Sequence, residues 1–273
     1  MRIARFTIGQ NEPQFGVVTG ELDEFGQPSD DARVVALAGD PLYAGINVLD
    51  EEYALSDVRL LAPVIPRSKV VAIGKNYADH VAEMKDVTGG DAPSEPLFFL
   101  KPNTSVVGPG DAIVYPRQSQ NVHFEGELAV VIGRICKDVP VERAAEVIYG
   151  YTIANDVSAR DLQVSDGQWS RAKGFDSFCP LGPWIETELT LDDVKAGLRV
   201  QTFLEGDLKQ DGNTRDLIFD LPAIIAHVTA AMTLLPGDVI LTGTPAGVGP
   251  MQPGDEVEVA IERLGALTNP VKK

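Results

Sequence analysis

The chain has 273 residues, 44% of them hydrophobic, and a formal net charge of −17 from 40 acidic against 23 basic side chains. That length suits one large domain, or a large one with a small appendage, and so negative a surface excludes nucleic acid and anionic membranes as partners. An anionic substrate would have to be held by a bound cation or by a local cluster of Lys and Arg.

Residues 1–62 read as a small β-rich N-terminal domain, with strands predicted over 2–6 and 15–18 and a polar, Asp-rich stretch over 21–31. The start, 1–6, lacks the apolar run of a signal peptide. Pro63 and Pro66 flank a connector that is the expected boundary of a larger domain over 67–270. That domain opens with a buried strand at 69–74, a short helix at 76–84, a Gly- and charge-rich loop at 85–96 and a strand at 97–101 that Pro102 stops. Three Pro-Gly-Asp triplets, at 109–111, 236–238 and 253–255, place Pro and Gly as a type II turn wants them, each ahead of an apolar strand. Helices are expected only at 76–84, 141–147 and 221–235, too few for a doubly wound parallel sheet. The uncharged run 221–237 falls short of the roughly 20 apolar residues of a membrane span and reads as a buried helix. The two cysteines, Cys136 and Cys179, lie far apart and make no disulfide framework. The reading is a cytoplasmic, strand-rich α+β protein.

One run stands out, His123-Phe124-Glu125-Gly126-Glu127 leading into the apolar 128–132. Side chains alternate along a strand, so Glu125 and Glu127 point to the same face. Two carboxylates entering a buried strand must share a proton, find cations or bind a metal ion; the alternative is a solvated pair on an edge strand. Asp156, at the end of a strand predicted over 151–154, either caps the following helix or adds a third hard oxygen ligand suited to Mg²⁺ or Mn²⁺. Zinc fits less well, because His80, His123 and His227 have no ligand-like spacing and the cysteines do not cluster. His80 and Glu83 are three apart, so on a helix they share a face, and the carboxylate could hold the imidazole in one tautomer as a base. Mere neighbours on a surface helix would show the same spacing. Of Lys75, Lys101, Arg117, Arg160, Arg171 and Lys173, several adjoin predicted strand ends, where they could hold a substrate carboxylate or stabilise an enolate, or simply form surface salt bridges. The Gly-rich 242–249 offers backbone amides as an anion nest.

These motifs together resemble the fumarylacetoacetate hydrolase family, in particular its short bacterial isomerases, acylpyruvate hydrolases and oxaloacetate decarboxylases. The likeness spans about 67–270. It is carried by Gly74-Lys75-Asn76-Tyr77-Ala78-Asp79-His80, Phe99-Leu100-Lys101-Pro102 and Phe124-Glu125-Gly126-Glu127-Leu128-Ala129. It continues through Asn155-Asp156-Val157-Ser158-Ala159-Arg160-Asp161, Lys173-Gly174-Phe175-Asp176 and Thr242-Gly243-Thr244-Pro245. The resemblance implies a mixed β-sandwich roll behind a small N-terminal domain, and a homodimer. It implies that Glu125, Glu127 and Asp156 hold Mg²⁺ or Mn²⁺, and that His80 and Glu83 form a proton-shuttling or water-activating pair on a segment that closes over the substrate. Lys173 would stabilise the enolate. Gln163 matches a substrate-touching position, and Lys101, Arg160 and Thr244 are further candidates for substrate binding. The substrate so implied is a small anionic 2-oxo or 2-hydroxy-dienoic acid, of the kind met in aromatic catabolism. Its enolate leads to C–C cleavage, by acylpyruvate hydrolysis or oxaloacetate decarboxylation, or alternatively to isomerisation. A non-catalytic, metal-stabilised binding protein is the rival class; it would have no need of His80, Glu83 or Lys173.

Overall fold

The computed structural model describes all residues except 22, 24, 27, 86–88 and 90. Parts of the polar stretch at 21–31 and of the loop at 85–96 therefore lie outside the described residues. The chain is built on a twelve-stranded sheet. From one edge its main path runs Val48–Ala54, Arg33–Leu37, Gln14–Thr19, Arg2–Thr7, Cys179–Glu186, Ile148–Asn155, Gly126–Ile132, Val239–Leu241, Val70–Gly74 and Leu97–Lys101. Most neighbours are antiparallel, the pair Val239–Leu241 and Val70–Gly74 being a parallel exception. A five-stranded sheet, Asp207–Asn213, Arg199–Leu204, Glu256–Ile261, Gly265–Lys272 and Ile113–Val114, accompanies it, with a three-stranded one of Ser158–Ala159, Val122–Phe124 and Gly249–Met251. The strand-rich α+β class expected from the pattern is the class observed.

The central strand Gly126–Ile132 is buried on both faces, which is why its sequence is apolar without alternation. Leu128, Val130 and Ile132 feed a core shared with Ile224, Ile225 and Val228 of the helix Leu221–Ala231 and with Val259 and Ile261 of the five-stranded sheet. Ala129 and Val131 feed a second core with Ile3, Val70, Ala72, Leu181 and Leu241. The sheet runs straight across the expected boundary at Pro63–Pro66, because Arg2 and Ile3 pair with Glu186 and Ile185. Gly110, Gly237 and Gly254 in the three Pro-Gly-Asp turns all take positive φ, as a type II turn requires.

The helices differ from expectation in kind and in extent. Val141–Val147 is 3₁₀ rather than α. The helix expected over 221–235 stops at Ala231, because Leu234 instead exchanges two backbone hydrogen bonds with Cys136, at 3.0 and 2.9 Å. Pro41–Ala44, Arg160–Asp166, Trp169–Lys173 and Leu191–Ala196 are helices too short for a 3.6-residue period to register. Among the described residues no helix is long and apolar enough to cross a membrane.

Asp238, fully buried in its turn, ties the strands at the sheet's parallel pair together. It accepts from the Ser68 hydroxyl at 2.7 Å, the Lys69 ammonium at 2.9 Å and the Leu235 amide at 2.9 Å. Asp238→Ala removes the acceptor these donors share, and urea unfolding should register a loss of about 2–4 kcal/mol. Burial alone would raise the Asp238 carboxyl, but the bonds from Leu235, Lys69 and Ser68 hold it below the ordinary range. The difference between wild type and variant is therefore full above about pH 4 and fades as pH falls through the lowered folded-state value.

Candidate active site

The site is a corner where two sheets meet. The strand reading continues through 123–133 in sequence, but in space it breaks at Glu125: Val122–Phe124 belongs to the three-stranded sheet and Gly126–Ile132 to the large one. Gly126 makes the corner possible, since a Cβ there would stand 2.3 Å from the Thr202 hydroxyl of the five-stranded sheet. Next door, Ile148–Asn155 pairs with Gly126–Ile132 so that Gly126 faces Asn155. The Asn155 side chain accepts the Glu125 amide at 2.9 Å, and the Asp156 amide donates to the Glu125 carbonyl at 2.8 Å. Glu125, Glu127 and Asp156 thereby converge with ligand oxygens within 4.8 Å of one another, each at least 95% buried. The solvated edge pair and the capping Asp are both excluded: the strand is central, and the following helix is capped by Ala159.

Three cations surround three acids, unevenly. Lys173 bridges Glu125 and Asp156 at 2.7 Å each. Arg160 pairs with Glu125, and Lys101 with Asp156. Glu127 has no ion pair among the described residues and accepts instead from the Gly243 amide at 2.6 Å. Burial works to raise Glu125, but Arg160 and Lys173 outweigh it and hold its carboxyl far below the ordinary range. For Glu127, burial and then the charges of Asp156 and Glu125 push the carboxyl well above that range. A buried carboxylate beside two others and lacking a cation is what a divalent ion would satisfy. The donor set, all hard oxygen, fits Mg²⁺ or Mn²⁺, and no histidine or cysteine joins it.

Across the cavity lies the helix Ala78–Glu83. His80 Nδ1 is 3.1 Å from Glu83 Oε2, and Glu83 Oε1 accepts the Gly247 amide at 3.0 Å. Burial would raise the Glu83 carboxyl, yet His80 and the Gly247 amide hold it below its usual value. The geometry assigns the Nδ1 proton to the Glu83 contact and leaves Nε2 as the basic position. The Gly-rich loop is thus a nest for the protein's own anions, Gly243 serving Glu127 and Gly247 serving Glu83.

His80, Glu125, Glu127, Asp156, Arg160, Gln163, Lys173 and Thr244 all line one cavity, with Lys75, Met84 and Trp169 among its other walls. Its free volume is about 20 Å³, room for about one water. Lys101 lies behind Asp156 and does not line the cavity; its ammonium also reaches the Val157 carbonyl at 3.4 Å. Gln163 is held by Arg160 at 2.9 Å. The Thr244 hydroxyl is engaged on both sides, donating to the Gly126 carbonyl at 2.9 Å and accepting from Gln210 at 2.7 Å. Arg171 pairs with Asp166 on the surface, and Arg117 is exposed.

Gln210 is the residue that sequence reasoning missed. Fully buried in Asp207–Asn213, it accepts the Gly126 amide at 2.9 Å while its amide nitrogen donates to Thr244 and to the Pro245 carbonyl, each at 2.7 Å. It fixes the peptide between the two glutamates against the Gly-rich loop. Its neighbours Lys209 and Asp211 are polar too, so nothing in the local pattern sets it apart.

Residues 69–272 match the family described as Fumarylacetoacetate (FAA) hydrolase C-terminal, and residues 1–63 match Rv2993c-like, N-terminal. The 2-hydroxyhepta-2,4-diene-1,7-dioate isomerase of Mycobacterium marinum superposes with a TM-score of 0.87 at 48% identity, covering 100% of this chain and 98% of that one. The maleylpyruvate hydrolase of Sphingobium sp. SYK-6, in complex with manganese(II) and pyruvate, superposes with a TM-score of 0.75 at 31% identity, covering 100% and 99%. Oxaloacetate tautomerase fahd2 of Xenopus laevis is 43% identical over 225 residues, 79% of this chain and 69% of that protein. A family match over most of the length, on a chain whose buried acids converge as described, identifies the protein as a member of the fumarylacetoacetate hydrolase family.

Proposed function

We propose that this protein is a divalent-metal-dependent enzyme that converts a small 2-oxo carboxylic acid through its enolate. The observation that carries the reading is the meeting, around one small cavity, of a carboxylate triad, a buried ammonium and an imidazole held by a carboxylate. Glu125, Glu127 and Asp156 would hold Mg²⁺ or Mn²⁺, which when bound supplies Lewis-acid polarisation of the substrate's 2-oxo group. Lys173 remains cationic: desolvation works against its charge, but Asp156 and Glu125 carry its ammonium above the ordinary value. It therefore stabilises negative charge that develops on the substrate oxygen. His80 Nε2 takes the proton from the carbon beside the ketone, the C–H electron pair moves into the C–C–O system, and the proton is returned to oxygen. Run in either direction, that is keto–enol tautomerisation. Glu83 holds the imidazole in the required tautomer. The cavity has room for about one water, so its walls must part to admit substrate, and the reading gives that movement to the helix Ala78–Glu83, which carries His80.

The oxaloacetate tautomerase among the relatives favours proton transfer as the outcome. C–C cleavage is the second reading, favoured by the manganese- and pyruvate-bound maleylpyruvate hydrolase. There the His80–Glu83 pair would deprotonate water for attack on an acyl carbon; decarboxylation would need only the enolate-stabilising half of the site.

Ultraviolet absorbance at the oxaloacetate enol band, with Mn²⁺ or with EDTA, tests the first reading, and coupled detection of released pyruvate tests the second. Metal-dependent ketonisation without pyruvate supports tautomerisation; pyruvate release at the same rate supports cleavage; neither, on any 2-oxo acid, overturns both. Glu127→Gln removes an anionic ligand, and Mn²⁺ affinity read by electron paramagnetic resonance should fall about tenfold or more, with activity lost. Glu83→Gln leaves His80 without its carboxylate, and kcat should fall about 10- to 100-fold while Mn²⁺ affinity stays unchanged.

A further inference from the structure

Lys75 differs from the other cations lining the cavity. Arg160 and Lys173 are each ion-paired to carboxylates of the triad. Among the described residues Lys75 forms no ion pair; its ammonium donates to the Gly89 carbonyl, a neutral acceptor, from a half-buried position in the cavity wall. An incoming carboxylate can take over such a group, because a charge-assisted hydrogen bond is roughly twice as strong as a neutral one. The same exchange at Lys173 or Arg160 would break an existing ion pair.

The backbone gives an independent reason to look here. Lys75 sits at φ +60, in the left-handed region that glycine occupies freely and a long side chain rarely adopts. The surroundings impose it. Val70–Gly74 is fixed in the sheet, and the Asn76 side chain is clamped by the Thr242 carbonyl at 2.8 Å and by the Phe219 amide and carbonyl at 2.8 and 3.1 Å. The chain must turn sharply between two immobile points. A lysine at that turn is a strained residue facing a site, the kind of outlier from which a functional role is read.

We infer that Lys75 is a specificity residue that binds the second carboxylate of a dicarboxylic 2-oxo acid, selecting diacids over 2-oxo acids with a neutral tail. The inference rests on the 2-oxo-acid reading above. It answers the constraint set by a chain of net charge −17, which must offer a dianion a local cation beyond those the triad already occupies.

The test compares wild type, Lys75→Met, Lys75→Arg and Lys75→Gly, all Mn²⁺-loaded, for KM on oxaloacetate, Ki of pyruvate and melting temperature. Lys75→Met should raise the oxaloacetate KM about 10- to 100-fold and leave the pyruvate Ki within about twofold; Lys75→Arg should recover most of the loss. Lys75→Gly should lose diacid binding to the same extent while melting higher, since glycine relieves the left-handed turn. An unchanged oxaloacetate KM in Lys75→Met, or an equal weakening of pyruvate, overturns the assignment and leaves the 2-oxo-acid reading in place. So does a wild type that binds pyruvate but neither turns over nor binds oxaloacetate. Failure of wild type with both compounds brings down the 2-oxo-acid reading itself.

Discussion

Three carboxylates buried within a few ångströms of one another are the constraint around which this structure is arranged. Left alone they would repel, desolvate and take up protons. Lys173, Lys101 and Arg160 answer two of them, and each cation is itself buried, so each depends on its acid in return. Among the described residues Glu127 is left with a single backbone amide. The asymmetry is informative, because a site built only for structural ion pairs would have matched its third acid as it matched the other two.

The fold supplies rigidity where this cluster needs it. Two acids sit at the ends of adjacent central strands whose register is set along Gly126–Ile132 and by the cores on both its faces. Gln210 reaches in from a different sheet to hold the peptide between Glu125 and Glu127, and Asn76 locks the root of the helix that carries His80. These two amides touch no carboxylate of the triad, yet they join the corner, the loop and the helix root into one scaffold.

Much of this was legible in the residues. An apolar run that does not alternate means a strand buried on both faces, and two glutamates at its mouth can then hardly be incidental. The His80–Glu83 spacing puts both on one face if the segment is helical, and the structure has that helix and the contact between them. What escaped was set by distance in space. Lys101 reads as one more cation near a strand end, and only the packing puts it behind Asp156 and away from the cavity. Gln210 acts through partners 84 and 34 positions away in the chain. The early stop at Ala231 follows from backbone groups of Leu234 claimed by Cys136, which no local periodicity records.

The loop that follows Val239–Leu241 holds one carboxylate from the triad and one from the helix Ala78–Glu83, through amides at Gly243 and Gly247. Were that helix to move, Glu83 would leave the Gly247 amide but carry its His80 contact with it, because both residues lie on the helix. The Gly247 amide thus ties the orientation of the His80–Glu83 pair to the same loop that holds Glu127.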